Sequence, residues 1–284
     1  MSGGGSWGAW EAGALSRVLD DGPADLDFDR LLGVSAGAIN AAFLATQGPG
    51  PKAMAEGVQM LKQLWMETRT EDIWVPLSLS SLSHAKALLS TEPLRATVRK
   101  HLGAARLGRN LTVGVTSMSS GKPAVVDEAE LSRGASLANM VLASSAIPVL
   151  FPPVDHNGTL FVDGGVAANV LTVHGVTTCP PNAPVDIYIF NSFPVVEVVA
   201  PERAAHFGLM EIALRSSQVL LGAVIDAQLN YKCDPGQMSN VRARVYAPQK
   251  MLGLVPSVLD FDHGEALWRE GYERHTLDEF YFCM

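Results

Sequence analysis

A chain of 284 residues, 48% hydrophobic and 18% charged, can bury a full core, and this composition excludes a disordered protein. A net charge of −8 and a pI near 5.3 exclude the basic surface that nucleic acid or a strongly anionic membrane would select. A lipid ligand would have to be met through apolar surface instead.

Gly3-Gly4-Gly5 opens the chain and feeds a helical pattern from Trp7 to Leu19, which stops at Asp21-Gly22-Pro23. The chain begins without a secretory pattern, so a cytoplasmic location is expected, with secretion reserved for a product processed at its N-terminus. A glycine-rich loop at a helix start turns backbone N–H groups toward an anion. Gly3-x-Gly5-x-x-Gly8 also meets the dinucleotide-binding pattern, with Asp25, Asp27 and Asp29 near the spacing of a ribose contact. That pattern needs a preceding strand, and Met1 to Gly3 are too few to build one. A nucleotide-binding enzyme therefore stands only as an alternative.

Leu31 to Asn40 reads as a short apolar strand, the turn Gly33-Val34-Ser35-Ala36-Gly37, and an Ala-rich helix. Strand, Gly-x-Ser-x-Gly and helix in that order form a nucleophile elbow, which lifts the serine hydroxyl above the sheet edge. The helix dipole then favours negative charge at Ser35. Gly4-Gly5-Ser6-Trp7-Gly8 matches the same pattern but has no strand ahead of it.

Further along, Met54, Val58, Leu61 and Trp65 make the core-facing stripe of a helix from Pro51 to Thr68. Trp74 to Leu82 alternates apolar residues with serines and reads as a buried connection, or as the lining of an acyl-chain pocket. A helical piece is expected from Ala85 to Leu89. Strands over Asn110–Met118 and Lys122–Val126 are joined by Ser119-Ser120-Gly121, and Leu131 to Ala143 is helical. The uncharged run from Gly134 to Val154 contains Asn139, Pro148, Pro152 and Pro153, which argue for a buried helix and loop rather than a membrane span. A hairpin around Asn157-Gly158 delivers Asp163-Gly164-Gly165. Strands over Val185–Phe190 and Val241–Tyr246, a long helix or helix pair over Arg203–Lys232, and a terminal helix over Asp262–Phe280 complete the reading. Cys179, Cys233 and Cys283 lack metal-ligand spacing; buried thiols are expected ahead of a Cys179–Cys233 bridge.

Ser35 needs a base. Most of the seven histidines sit in helical patterns as solvated or satisfied residues, while His174 opens a loop and stays a candidate. His156 lies beside the hairpin tip, and Gly158 to Asp163 spans roughly 15 Å of strand, so His156 and Asp163 are not expected to pair. Asp163 has the better claim, with two glycines leaving its carboxylate reachable.

The glycine loop, Gly33-x-Ser35-x-Gly37, Ala143-Ser144 with Pro148 and Phe151-Pro152, and Asp163-Gly164-Gly165 occur in the order that resembles the patatin-like phospholipase family. The resemblance covers about the first 165 residues. It implies a three-layer α/β/α domain over residues 1–284 with a mostly parallel central sheet. It also implies a Ser35–Asp163 dyad without histidine. Gly4, Gly5 and Ala36 would offer oxyanion N–H groups, and Gly3, Gly8, Gly33, Gly37, Gly164 and Gly165 would be motif glycines. The implied activity is hydrolysis of lipid or simple carboxylic esters with no metal or cofactor, through transient contact with a membrane or lipid-droplet surface and with no nucleic acid partner. Two departures bear on this. Trp7 stands where the family commonly carries Arg or Lys, which leans the substrate toward neutral esters. The N-terminal strand before Gly3 is missing, which admits a late start, a sheet without that edge, or a catalytically impaired lipid-binding member.

Overall fold

The computed structural model describes residues 1–78, 85–132, 136–178, 184–193, 200–229, 241–250, 252 and 258–282. Its helices are α1 (Gly8–Asp21), α2 (Ala36–Ala45), α3 (Pro51–Glu67), α4 (Glu92–Leu102), α5 (Glu128–Ser132), α6 (Leu137–Ser144), α7 (Thr172–Thr177), α8 (Pro201–Ala204), α9 (Leu209–Leu229) and α10 (Gly264–Glu273). The strands are β1 (Arg30–Val34), β2 (Val75–Pro76), β3 (Leu89–Ser90), β4 (Asn110–Ser117), β5 (Pro123–Val126), β6 (Val154–His156), β7 (Thr159–Asp163), β8 (Val185–Phe190), β9 (Val241–Pro248) and β10 (His275–Phe282).

Strands β1, β4, β5, β6 and β7 form one sheet, and β8, β9 and β10 another. The apolar β4 is its sheet's hub: Leu111, Val113 and Val115 are all buried. Beside β4, β1 runs parallel in the register Val34↔Gly114, and β5 pairs antiparallel through Gly114↔Val125. Further along β4, Val115 pairs with Ala124 of β5 and with Asp163 of β7. A strand has two edges, and β5 holds one of them throughout. It follows that β1 and β7 share the other, end to end, and their tips meet between Gly114 and Val115. Parallel pairing among the described strands is confined to β1 with β4 and β8 with β9, so the sheet is less parallel than expected. The cause is local: the turns after β4 and β6 are too short for a crossover and return the chain antiparallel.

Helices α2 and α6 pack their buried apolar faces against this sheet, and α1 and α3 pack on α2, with Trp10, Leu15, Leu44, Met54 and Met140 almost fully enclosed. α1 lies against α10 backbone to backbone; a Cβ on Gly13 would strike the Trp268 carbonyl, and one on Gly271 the Trp10 carbonyl.

Two expectations change. The terminal helix ends at Glu273, and His275–Phe282 becomes β10, paired along its whole length with β9. The aromatic and β-branched residues of that segment find an open sheet edge, and tertiary pairing outweighs helical periodicity. The residues after Ala85 bend into β3, which pairs with β2, instead of forming a helix. The long helical stretch takes the second of its two readings, a helix pair, α8 and α9. Part of the Trp74–Leu82 segment and all three cysteines lie outside the described residues.

Met1 and Ser2 stand where the strand before the glycine loop was expected, between β1 and β8. The Met1 ammonium donates to Leu32 O at 3.0 Å, and Val34 N–H donates to Met1 O at 3.2 Å. On its other side, Ser2 N–H donates to Phe190 O at 3.0 Å. Two residues thereby bridge the two sheets and anchor the loop.

Candidate active site

Ser35 stands between β1 and α2 with φ 53° and ψ −124°. For a residue with a Cβ this conformation costs about 1–3 kcal/mol and persists only where the surroundings over-determine it. Here they do. Ser35 N–H donates to Ser144 Oγ at 2.8 Å, and the Ser144 hydroxyl donates onward to Gly114 O at 2.6 Å. Ser35 O accepts from Ala38 N–H at 2.9 Å, Ile39 N–H at 3.2 Å and Ser145 Oγ at 3.3 Å. The flanking glycines are dictated by space, since a Cβ on Gly33 would overlap the Gly37 carbonyl and one on Gly37 would overlap the Ser2 carbonyl.

At the tip of β7, Asp163 N–H donates to Ala146 O at 2.9 Å, and its Oδ1 accepts from Gly165 N–H at 2.8 Å. Because β1 and β7 share one edge of β4, the two tips bring Ser35 and Asp163 together. Burial pushes the Asp163 carboxyl up to about 6, while hydrogen bonds from the Ser35 hydroxyl and Gly165 N–H pull it back. Ser35 and Asp163 are only 5% and 6% exposed, which is why desolvation dominates.

The glycine loop closes the third side. Gly3 N–H donates to Asn169 Oδ1 at 3.0 Å, and a Cβ on Gly3 would press on the Ser35 Cβ at 2.9 Å. Gly5 takes φ 57°, with its Cα facing the Val258 carbonyl. Gly5 and Ala36 line the cavity beside Ser35, whereas Gly4 backs onto Ser192 and Trp7. Among the described residues, the N–H groups of Gly4, Gly5 and Ala36 have no hydrogen-bond partner.

The cavity at Ser35 holds about 90 Å³ and is almost wholly apolar, walled by Ile39, Phe43, Leu61, Val98, Ile147 and Phe151 among others. It runs between α2, α3 and α4, so Leu61 and Trp65 of the stripe that periodicity assigned to the core also line it.

The patatin-like phospholipase model matches residues 1–174, more than half of the chain. The chain belongs to that family. All three of its site segments fall within the matched residues. The crystal structure of VipD from Legionella pneumophila is similar at 16% identity and a TM-score of 0.42. That match covers 96% of this chain and 64% of VipD, so the chain spans less than two thirds of VipD's length. No curated protein matches the chain.

Against the family pattern, Trp7 proves to be a core residue. It is fully buried, with its ring 4.9 Å from that of Phe193, and it does not line the cavity. Of the described histidines, His101 alone lines the cavity, edge-on to Phe43. His156 lies opposite Thr159, at the far end of β7 from Asp163, and half-buried His174 is on α7 with its pKa lowered by burial and by Arg30. Neither lines the cavity.

One residue was not singled out by the sequence. Glu11, fully buried on α1, accepts from Ser2 N–H at 2.7 Å, Ser2 Oγ at 2.9 Å and Asn40 Nδ2 at 3.4 Å. Burial pushes its carboxyl up to about 7, opposed by the nearby Met1 ammonium. An acidic residue inside an Ala-rich, otherwise apolar helix face was the available signal. No group of three or more His, Cys, Asp or Glu suited to a metal occurs among the described residues, and no described helix is long and apolar enough to cross a membrane.

Proposed function

We propose that the chain is a lipid acyl hydrolase that cleaves carboxylic esters with Ser35 as nucleophile and Asp163 as base. The supporting observation is the shared β4 edge, which sets the buried hydroxyl and carboxylate together at the head of an apolar cavity. Ser35 Oγ attacks the ester carbonyl carbon as its proton passes to Asp163, and the carbonyl oxygen takes up the negative charge. Gly5 and Ala36 N–H, with Gly4 behind, stabilise that oxyanion. Losing one such donor costs about 3–4 kcal/mol in comparable sites. As the tetrahedral intermediate collapses, the C–O bond to the alcohol breaks and Asp163 returns the proton to the leaving oxygen. Water then gives a proton to Asp163 and attacks the acyl-enzyme. The acid forms, and Ser35 recovers its proton. A carboxyl raised to about 6 is a better base for this task than an exposed aspartate.

The cavity takes the acyl chain. Val149, exposed and at φ 71°, lies in sequence between the lining residues Ile147 and Phe151, and its carbonyl accepts from the N–H of exposed Leu88 at 2.9 Å. These two side chains are the proposed contact with a lipid surface. The two departures that suggested an impaired lipid-binding member have structural accounts: Trp7 is core, and Met1–Ser2 anchor the loop. For the nucleotide alternative, Asp27 is already engaged by Arg109 and by Gly50 N–H at 2.9 Å.

The deciding experiment is fluorophosphonate labelling and p-nitrophenyl butyrate hydrolysis by wild type, Ser35→Ala and Asp163→Asn. Wild type is expected to label and turn over, Ser35→Ala to do neither, and Asp163→Asn to lose at least 100-fold in kcat while keeping its Tm. Near-full activity in either folded variant refutes the assignment.

A further inference from the structure

Three helices measure the length of the cavity at Ser35. Its lining runs along α2 from Ser35 to Phe43, along α3 from Thr68 at its end back to Leu61, and along α4 from Leu94 to His101. At about 1.5 Å per residue these spans come to about 12 Å on α2 and about 10 Å on each of the others. The helices also agree on which end is which. Trp65 Nε1 donates to Asn40 Oδ1 at 2.8 Å, and a Cβ on Gly8 would press on both Trp65 and Ala36, so the last turn of α3 stands beside the first turns of α2. A Cβ on Gly57 would meet Leu44 and Gln47, so the earlier turns of α3 stand beside the end of α2. On α4, Leu94 N–H donates to Ile73 O at 3.3 Å, close after Thr68, whereas His101 meets Phe43 edge-on with ring centroids 6.2 Å apart.

Among the described residues, the end of the cavity away from Ser35 is therefore closed by Phe43, Leu61, His101 and Leu102. Phe43, Leu61 and Leu102 are buried, while His101 is half-buried and so is the part of this floor that reaches solvent. An extended chain advances about 1.2 Å per bond, since three backbone bonds span at most ~3.6 Å. A length of about 12 Å then takes about ten bonds, the first of which join the acyl carbon to Ser35. A volume of about 90 Å³ along that length admits one such chain and not two side by side.

We propose that Phe43 and His101 form a ruler for the acyl chain, so that the substrates are esters of a single straight chain of about eight to ten carbons, with His101 as the residue that sets the limit. The proposal rests on the reading of Ser35 as nucleophile, which fixes where the chain begins. Up to the floor, each added methylene leaves water for an apolar wall and gains about fourfold in kcat/KM. Beyond it, a longer chain must either force a packed floor apart or leave carbons folded at the mouth, and both cost binding. Replacing the His101 ring by a methyl group removes the part of the floor that faces solvent. The tube then becomes open at both ends, and a long chain can pass through.

The test measures kcat/KM of the full chain on p-nitrophenyl esters from butyrate to myristate, held in a fixed excess of one non-ionic detergent. Wild type is expected to climb about fourfold per methylene to a maximum at octanoate or decanoate, and to fall at least tenfold below it at myristate. His101→Ala should raise the ratio of myristate to octanoate turnover at least tenfold. A wild-type profile still rising at myristate overturns the proposal, and so does an unchanged ratio in a folded His101→Ala protein. Should that variant fail to fold, the wild-type profile decides alone. A second measurement needs no catalysis: calorimetric titration of Ser35→Ala with primary alcohols from hexanol to dodecanol. Affinity should climb to decanol and gain nothing at dodecanol, whereas continued gain at dodecanol, or no binding at all, overturns the ruler. Absence of ester turnover and of fluorophosphonate labelling with that cut-off intact would refute the hydrolase reading and leave the floor standing.

Discussion

Ser144 is the residue outside the proposed dyad on which the geometry of the elbow most depends. Its hydroxyl accepts from Ser35 N–H at 2.8 Å and donates to Gly114 O at 2.6 Å, in a site with no solvent exposure. Ser144→Ala leaves a buried N–H and a buried C=O without partners. At about 1–3 kcal/mol for each stranded group, partly relieved by relaxation, the folded state should lose about 2–4 kcal/mol. For a domain of this size that lowers Tm by about 5–12 °C in thermal unfolding followed by circular dichroism. The same bond holds Ser35 at φ 53°. With it gone the backbone relaxes toward an ordinary conformation, and a shift near 1 Å at a nucleophile costs up to about 100-fold in rate. The expected signature is a 10- to 100-fold fall in both kcat and the rate of fluorophosphonate labelling, with KM little changed. Ser145→Ala is the internal control, because its longer 3.3 Å bond to Ser35 O is one of three on that carbonyl. Its losses should be several-fold smaller. A Ser144→Ala protein with lowered Tm but unchanged labelling would show that Ser144 supports only the fold, and the clamp argument would fail.

Four further outcomes are expected. The rate kcat/KM for a soluble ester should rise with pH through a single ionisation near 6 and then level, because only the ionised Asp163 accepts a proton; a midpoint near 4, as for an exposed carboxylate, would contradict burial as the cause. Glu11 is held above its unfolded value of 4.5 at about 7, so its contribution to stability is full below 4.5 and is lost as pH climbs through about 7. That loss is about 3 kcal/mol, and Glu11→Gln should flatten it in Tm measured from pH 4 to 8; an unchanged slope would acquit Glu11. Val98→Phe should narrow the cavity and shift preference toward shorter acyl chains, each excluded methylene costing about 0.8 kcal/mol or fourfold in relative kcat/KM, with acetyl ester turnover preserved. Val149→Asp should reduce hydrolysis of lipid in vesicles at least tenfold and leave p-nitrophenyl butyrate turnover intact; equal losses on both would place Val149 in the cavity wall's support instead of at a lipid surface.

What could be read from the chain was whatever is fixed by near neighbours. The elbow, the helix after it and the Asn157-Gly158 hairpin all depend on residues a few positions apart, and each appears where the glycines and apolar runs put it. That Asp163 lies beside Ser35 was not legible in its own segment, since Asp-Gly-Gly is an ordinary turn until one knows that β7 ends against the tip of β1. That knowledge is long-range: it resides in Val115 pairing with Asp163 after Gly114 has paired with Val34. The same ignorance produced the errors. His275–Phe282 looks helical in isolation and becomes a strand because β9 offers it an edge, and the residues after Ala85 become β3 because β2 pairs with them. The N-terminus shows the reverse case. Three residues are too few to be counted as a strand by any periodicity, yet Met1 and Ser2 hold the registers of both neighbouring strands and carry Gly3 to the side of Ser35. Their place is set by hydrogen bonds to Leu32, Val34 and Phe190, and by the buried Glu11 that receives Ser2. An acid kept inside a helix face is therefore tied, through Met1 and Ser2, to the position of the glycine loop beside Ser35.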